Sequence, residues 1–562
     1  MADVPQPGAV TARPVPEGDA GRSAPPPKRP AWAPSGRFLA RAAALTAALT
    51  AVGALLGLVR DQLLAHTFGA GTGTDAFLVA WTVPEFAATL LIEDGMALVL
   101  VPAFAAALAR RAGTTGDPVR ALVRATLPRT ALGMGAAAGV LVLAAPWLVG
   151  LLAPGLPERQ LAVDCTRLTA TCVFSFALAG YCSAALRAHG RFLAPAAIYV
   201  AYNTGIIAAV VLLDPGAWGV RAAAAGAAAG GVLMVLIQAP VLWRQLRTPG
   251  TARAQDGTAP RLLLAALAPV IVFAVCRQSQ VLVERFLAAP LPAGAISHLN
   301  YAQKVAQLPM VLSLMLCTVS FPVVARALAA GDPDTARRRA ERDLLLAGVI
   351  VLVGAATVVA AAPQIVELLF QRGAFDRADT SATAAVMRVY ALGLLGQTLV
   401  GALVRCYFSA SRPLWYPAAV MLGGIAVTAA AGRAWAGPWG AAGIAAANAL
   451  GITLAAALLL AGVRRQSVPL DARHLALGLA RLAGAAAVAT AAGWWCATGP
   501  PPLAVPLALV TVTAAFTAAA CALRAPVVPS LIRSALRRPA HEPAENPPLG
   551  GDVPLDRRHH GR

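Results

Sequence analysis

Charge is scarce in this chain. Only 13% of its 562 residues are Asp, Glu, Lys or Arg, against 58% hydrophobic. Soluble domains carry roughly 25% charged residues, so a soluble multidomain protein is excluded. Short alternating strands are missing as well; the apolar runs are long and unbroken, which excludes a membrane barrel. The seven histidines form no cluster beyond the pair His559 and His560. The eight cysteines (Cys165, Cys172, Cys182, Cys276, Cys317, Cys406, Cys496, Cys521) sit in apolar segments without ligand spacing. They read as small buried apolar residues, not as a metal site or a disulfide framework. No nucleophile–base set is visible, so neither an enzyme nor a cofactor is expected.

Lysine is scarcer still, with Lys28 and Lys304 the only two. Every other cation is arginine, as a GC-rich bacterial genome would produce. The net charge is +20, but its placement argues against a nucleic-acid partner. Arginines gather in alternate connections: Arg110, Arg111, Arg120 and Arg124; Arg187 and Arg191; Arg244, Arg247 and Arg253; Arg337 to Arg339 and Arg342; Arg464, Arg465 and Arg473. That is the positive-inside pattern of a multi-pass membrane protein. Residues 1–36 and 524–562 are rich in Pro, Gly and charge and cannot build a core. Both are expected to be disordered cytosolic tails, and no signal-peptide pattern precedes the first apolar run.

What the chain does have is apolar stretches of about 20 residues, the length that crosses a bilayer. Fourteen are expected, at 38–60, 75–105, 126–153, 160–186, 192–213, 217–243, 261–288, 294–325, 343–370, 380–408, 413–432, 438–462, 473–496 and 502–523. The fold class is therefore an all-α polytopic membrane protein. The sequence also repeats. VPAFAAAL (101–108) resembles FPVVARAL (321–328), and a GDP tripeptide follows each, at Gly116 and Gly331. RAHGRFLAPAA (187–197) matches SASRPLWYPAA (409–419), and WGVRAAAAGAAAG (218–230) matches WGAAGIAAANALG (439–451). The copies lie about six spans apart and so share one orientation, related by an axis along the membrane normal. This predicts a first lobe over 37–245, a second over 260–466, and two appended spans over 470–523. Two lobes around a central space suit an alternating-access transporter, although duplicated bundles also serve as scaffolds.

Ionisable residues inside spans cost roughly 2.5–3.5 kcal/mol at a helix centre and mark functional sites. Here they are Arg41, Arg60, Asp61, Asp75, Glu85, Glu93 and Asp94, then Arg277, Glu284, Arg285, Lys304, Arg388 and Arg405. Arg41, Asp61 and Arg285 are placed near the interfaces, where snorkelling relieves the cost. Arg60 and Asp75 flank a turn carrying Gly69, Gly71 and Gly73, and could simply pin it as an ion pair. The glycine spacing mimics a nucleotide loop, but no strand precedes it. Lys304, in NYAQKVAQLP, has Gln303 and Gln307 beside it and no carboxylate nearby in sequence. Its tertiary partner could be Glu284 or Asp75; unpaired in a cavity, it would attract an anion such as phosphate. Arg277, in CRQSQ, has a similar claim.

Three stretches carry a resemblance: GLVRDQLLAHTFGAGTGTDAFLVA from Gly57, LVERFLAAPLPAGAISHLNYAQKVAQLP from Leu282, and LLFQRGAFDRADTSATAAVMRVYALGL from Leu368. Together they are similar to the MurJ/MviN lipid II flippases of the multidrug/oligosaccharidyl-lipid/polysaccharide exporter superfamily. The resemblance covers about residues 38–520 and implies fourteen membrane helices. It implies transport of an undecaprenyl-diphosphate-linked disaccharide pentapeptide to the outer leaflet for peptidoglycan synthesis, with cavity cations holding the diphosphate. Arg60 stands in the family's G-x-x-R-D motif and Asp75 in T-D-A-F, while Lys304 replaces the usual arginine of N-Y-A-x-R. Lysine keeps the charge but loses the bidentate fork that suits phosphate. The chain departs from the family at Ala54, Ala88 and Thr89, where arginines are usual. Glu93 keeps a family glutamate, and Glu85 and Asp94 add negative charge.

The resulting expectation is a flippase in the bacterial plasma membrane, with both ends cytoplasmic. Arg60, Arg277 and Lys304 would form the anion site and Asp75 would orient Arg60. Glu93, Glu284 and Gln307 are candidates for gate or support. The partners would be a lipid-linked cell-wall precursor, membrane lipids and cell-wall synthesis enzymes. The alternatives are an exporter of another lipid-linked glycan or amphiphile, and a non-transporting cell-wall scaffold. No carboxylate occurs between Asp379 and Asp471, which leaves ion coupling without an acidic site there.

Overall fold

A computed structural model describes residues 36–110, 117–247, 264–315, 317, 326, 330, 332–408, 414–466, 470–525 and 528. The expectations for the two tails fall almost wholly outside these residues, as do the side chains of Arg41, Glu93 and Asp94. Among the described residues every regular element is helical. Alanine and leucine, the best helix formers, dominate the sequence between the breaks.

The first half comprises α1 (Gly36–Phe68), α2 (Thr72–Ala87), a π-helical stretch (Ala88–Asp94), α3 (Gly95–Ala109), α4 (Pro118–Leu152), α5 (Arg159–Ala170) and α6 (Cys172–Ala188). It continues with α7 (Leu193–Ala196), α8 (Ile198–Leu212), α9 (Pro215–Trp218) and α10 (Arg221–Arg247). The second half has α11 (Leu264–Ala288), α12 (Ala295–Ala306), α13 (Pro333–Ala360), α14 (Ala362–Phe370), α15 (Arg377–Ala391), α16 (Leu394–Phe408) and α17 (Tyr416–Gln466). The last two are α18 (Ala472–Cys496) and α19 (Pro501–Ala522).

Among the described residues, nine helices are long and apolar enough to cross a membrane, or ten with the pair α15 and α16, bent by 47°. Fourteen is not reached by that criterion because breaks shorten several elements. Others are merged: α17 runs unbroken in hydrogen bonding but turns at Gly440, whose φ of 56° no helical residue adopts. The first expected span was also drawn too short. Helix α1 runs past Arg60 and Asp61 to Phe68, and stops at Gly69, whose φ is 65°. Glycine there is an ordinary helix stop.

The outer surface is apolar where a soluble protein would be polar. Leu143, Trp147 and Trp495 are each more than 80% exposed, as lipid-facing side chains are. Cys521 is exposed too, contrary to the expectation that all the cysteines are buried. The matched sequence segments share local geometry. In both GDP tripeptides the aspartate caps a helix and proline takes its first turn: Asp117 accepts from Val119 N and Arg120 N, and Asp332 from Thr335 N. Gly219 and Gly440, each after a tryptophan, have φ of 53° and 56°. Helix α8 packs on α1 and α10, α2 on α5, α11 on α17, and α12 on α15. Contacts between the halves fall mainly on α2, the π-helical stretch and α4 against α11, α2 against α12, and α1 against α14.

Close helix approach depends on small residues. A Cβ on Gly230 would lie 2.6 Å from the Tyr202 carbonyl oxygen, whereas one on Gly133 meets nothing within 4 Å. Gly230→Ala should therefore force α8 and α10 apart at a cost of about 1–3 kcal/mol. The expected result is a Tm in detergent lowered by several degrees, with Gly133→Ala unchanged or higher.

Candidate functional site

The polar centre lies where α1, α2 and α8 of the first half meet α12 of the second. Arg60 and Asp61 are consecutive on α1 and buried, 8% and 7% exposed. The Arg60 guanidinium donates from Nε and Nη2 to Asp61 Oδ1, at 3.0 and 2.7 Å. Its Nη1 donates to Asn203 Oδ1 on α8 at 2.9 Å, and Asn203 in turn donates to the Gly53 carbonyl. From α12, Lys304 Nζ stands 3.3 Å from Asp61 Oδ2. One carboxylate thus holds two cations from opposite halves of the chain. Both cations also face Trp81 of α2, with Arg60 Cζ 4.7 Å and Lys304 Nζ 5.9 Å from the ring centroid. Such contacts contribute about 0.5–2 kcal/mol, more as the site is desolvated.

This arrangement corrects four expectations. Asp61 is buried at the centre and is the partner of Lys304, where the sequence left open Glu284, Asp75 or no partner. Asp75 does not orient Arg60. Its Oδ2 accepts from Gly294 N at 2.7 Å and its Oδ1 from Ser297 N at 2.8 Å and Ser297 Oγ at 2.5 Å. It is a cap supplied by α2 to the start of α12, where the helix dipole favours a negative charge. Arg285, expected at an interface, is 2% exposed. Its guanidinium donates to the Ile296 carbonyl and to Asn300 Oδ1, strapping α11 to α12.

The Asp75 cap belongs to a larger latch joining three turns at one end of the molecule. Asp379, at the start of α15, accepts from Ala70 N at 3.4 Å and contacts His298 Nε2 at 3.2 Å. Ala374 N donates to the His66 carbonyl at 2.9 Å. The turns after α1, after α11 and before α15 are thereby held together.

Beneath this latch, three adjoining compartments separate the halves. The first, about 420 Å³, is bordered by Arg60, Trp81, Glu85, Tyr199, Asn203 and Gln278. Ala54, Ala88 and Thr89 also line it, so the positions where the resemblance leads one to expect arginine do face this space. The second, about 170 Å³, shares Glu85 and Gln278 and adds Arg277. The third, about 360 Å³, shares Arg277, Gln278 and Thr89 and is otherwise walled by apolar side chains such as Phe273 and Phe408. Of the ionisable groups, Arg60, Arg277 and Glu85 line these compartments, and Arg60 is joined through Asp61 to Lys304 behind that wall. A separate cavity of about 370 Å³ on the other face of α2 offers Thr82 as its single polar side chain. It has nothing to orient a charged headgroup.

Of the expected support residues, Gln307 lines the second compartment and donates to Gln397 Oε1 at 3.4 Å. Glu284 is buried and accepts from Asn448 Nδ2, tying α11 to α17. Glu93 lies in the π-helical stretch, with its side chain outside the described residues. Sequence reasoning passed over Trp81 and Asn203 and set Asp61 at an interface. Continuing the first helix to Gly69 would have shown that Arg60 and Asp61 lie two turns from its end, too deep for an interface.

With this geometry in view, comparison with known proteins is specific. Residues 64–505 match the family profile described as lipid II flippase MurJ. The lipid II flippase MurJ of Burkholderia cenocepacia is 27% identical over 479 residues, 82% of this chain and 90% of that one. A probable lipid II flippase MurJ of Vibrio cholerae is 26% identical over 489 residues, 81% of this chain and 89% of that one. Among solved structures, a lipid II flippase MurJ in an inward closed conformation superposes with a TM-score of 0.70 at 17% identity, over 88% of this chain and all of that one. An inward-facing multidrug resistance MATE family transporter of the MOP superfamily gives 0.58 at 14% identity, over 75% and 98%. The two superpositions speak to the fold; the profile, spanning most of the chain, settles the lineage. The chain belongs to the lipid II flippase MurJ family.

Proposed function

We propose that this protein carries lipid II, an undecaprenyl-diphosphate-linked peptidoglycan precursor, from the inner to the outer leaflet by alternating access. The observation that carries this reading is the bridge from Arg60 and Asp61 to Lys304, which ties the two halves of the chain together at the wall of a cavity. A diphosphate entering that cavity competes with Asp61 for both cations. Once they turn to the phosphate, the tie between α1 and α12 is released and the halves can move apart. Arg277, at the junction of the second and third compartments, extends the positive surface. Asp75 acts at a distance from the anion, holding the start of α12 while the latch is shut. The arginine-rich connections support a plasma-membrane orientation with both ends cytoplasmic and the latched turns outside. Docking to cell-wall synthesis enzymes remains part of this reading.

A second reading, export of a less anionic lipid-linked glycan, is favoured by one observation. Ala54, Ala88 and Thr89 line the first compartment and leave it poor in cations.

Two experiments separate these readings. In bacteria depleted of their own MurJ, expression of this chain should restore externally accessible lipid II. Lys304→Ala should abolish that while the protein stays inserted; full activity in this variant would remove Lys304 from the mechanism. Ala88→Arg should bind undecaprenyl diphosphate tenfold or more tighter than the parent, the effect of one hydrogen bond to a charged group. An unchanged Kd would mean that the phosphate does not reach that wall.

A further inference from the structure

The second compartment differs in chemistry from the cation site beside it. Gln278 and Gln280 of α11, Gln303 and Gln307 of α12, Gln397 of α16 and the Tyr390 hydroxyl of α15 border one space of about 170 Å³. Five of the chain's fourteen glutamines therefore converge from three helices on one cavity. Gln303 and Gln307 reach it together because residues four apart share a helix face.

Each amide offers two N–H donors and a carbonyl acceptor, and only part of that capacity is used among the described residues. Gln397 Nε2 donates to Tyr390 Oη at 3.2 Å, Gln307 Nε2 to Gln397 Oε1 at 3.4 Å, and Gln280 Nε2 to Asn448 Oδ1 at 2.7 Å. Gln278 makes no hydrogen bond among the described residues, although it borders all three compartments. A purely structural amide cluster would close on itself, because unpaired polar groups in a membrane interior are costly. This one surrounds open space. Its charged members, Arg277 and Glu85, oppose each other, so the pocket does not favour an anion. With room for about five or six waters, it fits one small uncharged group rather than a whole headgroup.

We propose that this amide-lined pocket is the subsite that reads the uncharged part of the cargo headgroup, by hydrogen bonds to its hydroxyl or amide groups. This rests on the flippase reading above and deepens it: cations hold the phosphate, and glutamines select what is attached to it. Selection by a hydrogen-bonding pocket is strong because a cargo lacking the matching group leaves buried amides unpaired. The sugars and the peptide share this chemistry and are separated by the test.

The test measures Kd for the full-length protein in nanodiscs, by native mass spectrometry, with three lipids. These are undecaprenyl diphosphate, the same lipid bearing the disaccharide alone, and the complete disaccharide-pentapeptide lipid. Gln278→Leu removes an amide with no hydrogen bond among the described residues, so its fold is spared; Gln303→Leu is the second variant. Each should weaken binding of headgroup-bearing lipid about fivefold, the net worth of one hydrogen bond, and leave undecaprenyl diphosphate unchanged. Loss shared by both headgroup-bearing lipids assigns the pocket to the sugars, and loss confined to the complete lipid assigns it to the peptide. Equal weakening of all three lipids, or of none, overturns the proposal. So does a parent protein that binds all three alike, which would leave the flippase reading standing. A parent that binds none of them overturns both.

Discussion

One carboxylate inside the membrane region holds two cations, and the arrangement of the two halves follows from it. Asp61 is buried, and both Arg60 and Lys304 need it. Removing one partner from a buried ion pair costs about 3–5 kcal/mol, because the remaining charge stays uncompensated. While Asp61 holds both cations, it ties α1 to α12. A group that replaced it would have to bring negative charge of its own, and under the proposed mechanism that requirement links the arrival of an anion to movement of the halves. Trp81 makes this workable. Its ring face gives both cations a second electrostatic partner that does not leave when the carboxylate is displaced.

The latch at the turns works on a different principle. Asp75, Asp379 and His298 act through backbone amides and a helix N-terminus, none of which cargo needs to touch. The site and the latch are nevertheless joined by α12, which carries Ser297 and His298 at one end and Lys304 about two turns later. A pull on Lys304 is therefore delivered to the latch along a rigid helix. The membrane potential fits such a carrier. Moving a negative charge outward gains about 2.3 kcal/mol per 100 mV, and this gain is kept if the cavity cations remain near the midplane while the halves rock around them.

The walls of the cavity divide recognition between charge and hydrogen bonding. Arginine is absent at Ala54, Ala88 and Thr89, so the first compartment relies on fewer cations than the family resemblance implied. The neighbouring compartment is rich in neutral amides. A binding surface can trade Coulomb attraction for directional hydrogen bonds, giving up affinity for any anion and gaining discrimination among headgroups. The π-helical stretch at Ala88–Asp94 lies where this composition changes, and such bulges are frequent at functional sites.

The sequence by itself determined the class of this protein. Hydrophobic runs of membrane length and the GDP and Trp-Gly repeats are local signals, and each appears in the structure as a helix, a cap or a left-handed glycine. Arg60, Lys304, Arg277 and Gln307 were also legible, because a polar group inside an apolar run is conspicuous wherever it ends up. Only the tertiary structure decided who partners whom. Asp61 was misplaced because its residue type and position near a turn suit an interface equally well, and Lys304 is 243 residues away in the chain. Asp75 and Ser297 are likewise joined across 222 residues. Periodicity and composition report the surroundings a residue needs, and they are blind to which distant segment supplies them. Pairings between halves are set by how whole helices pack, and that packing placed the two cations on one carboxylate and the glutamines around one pocket.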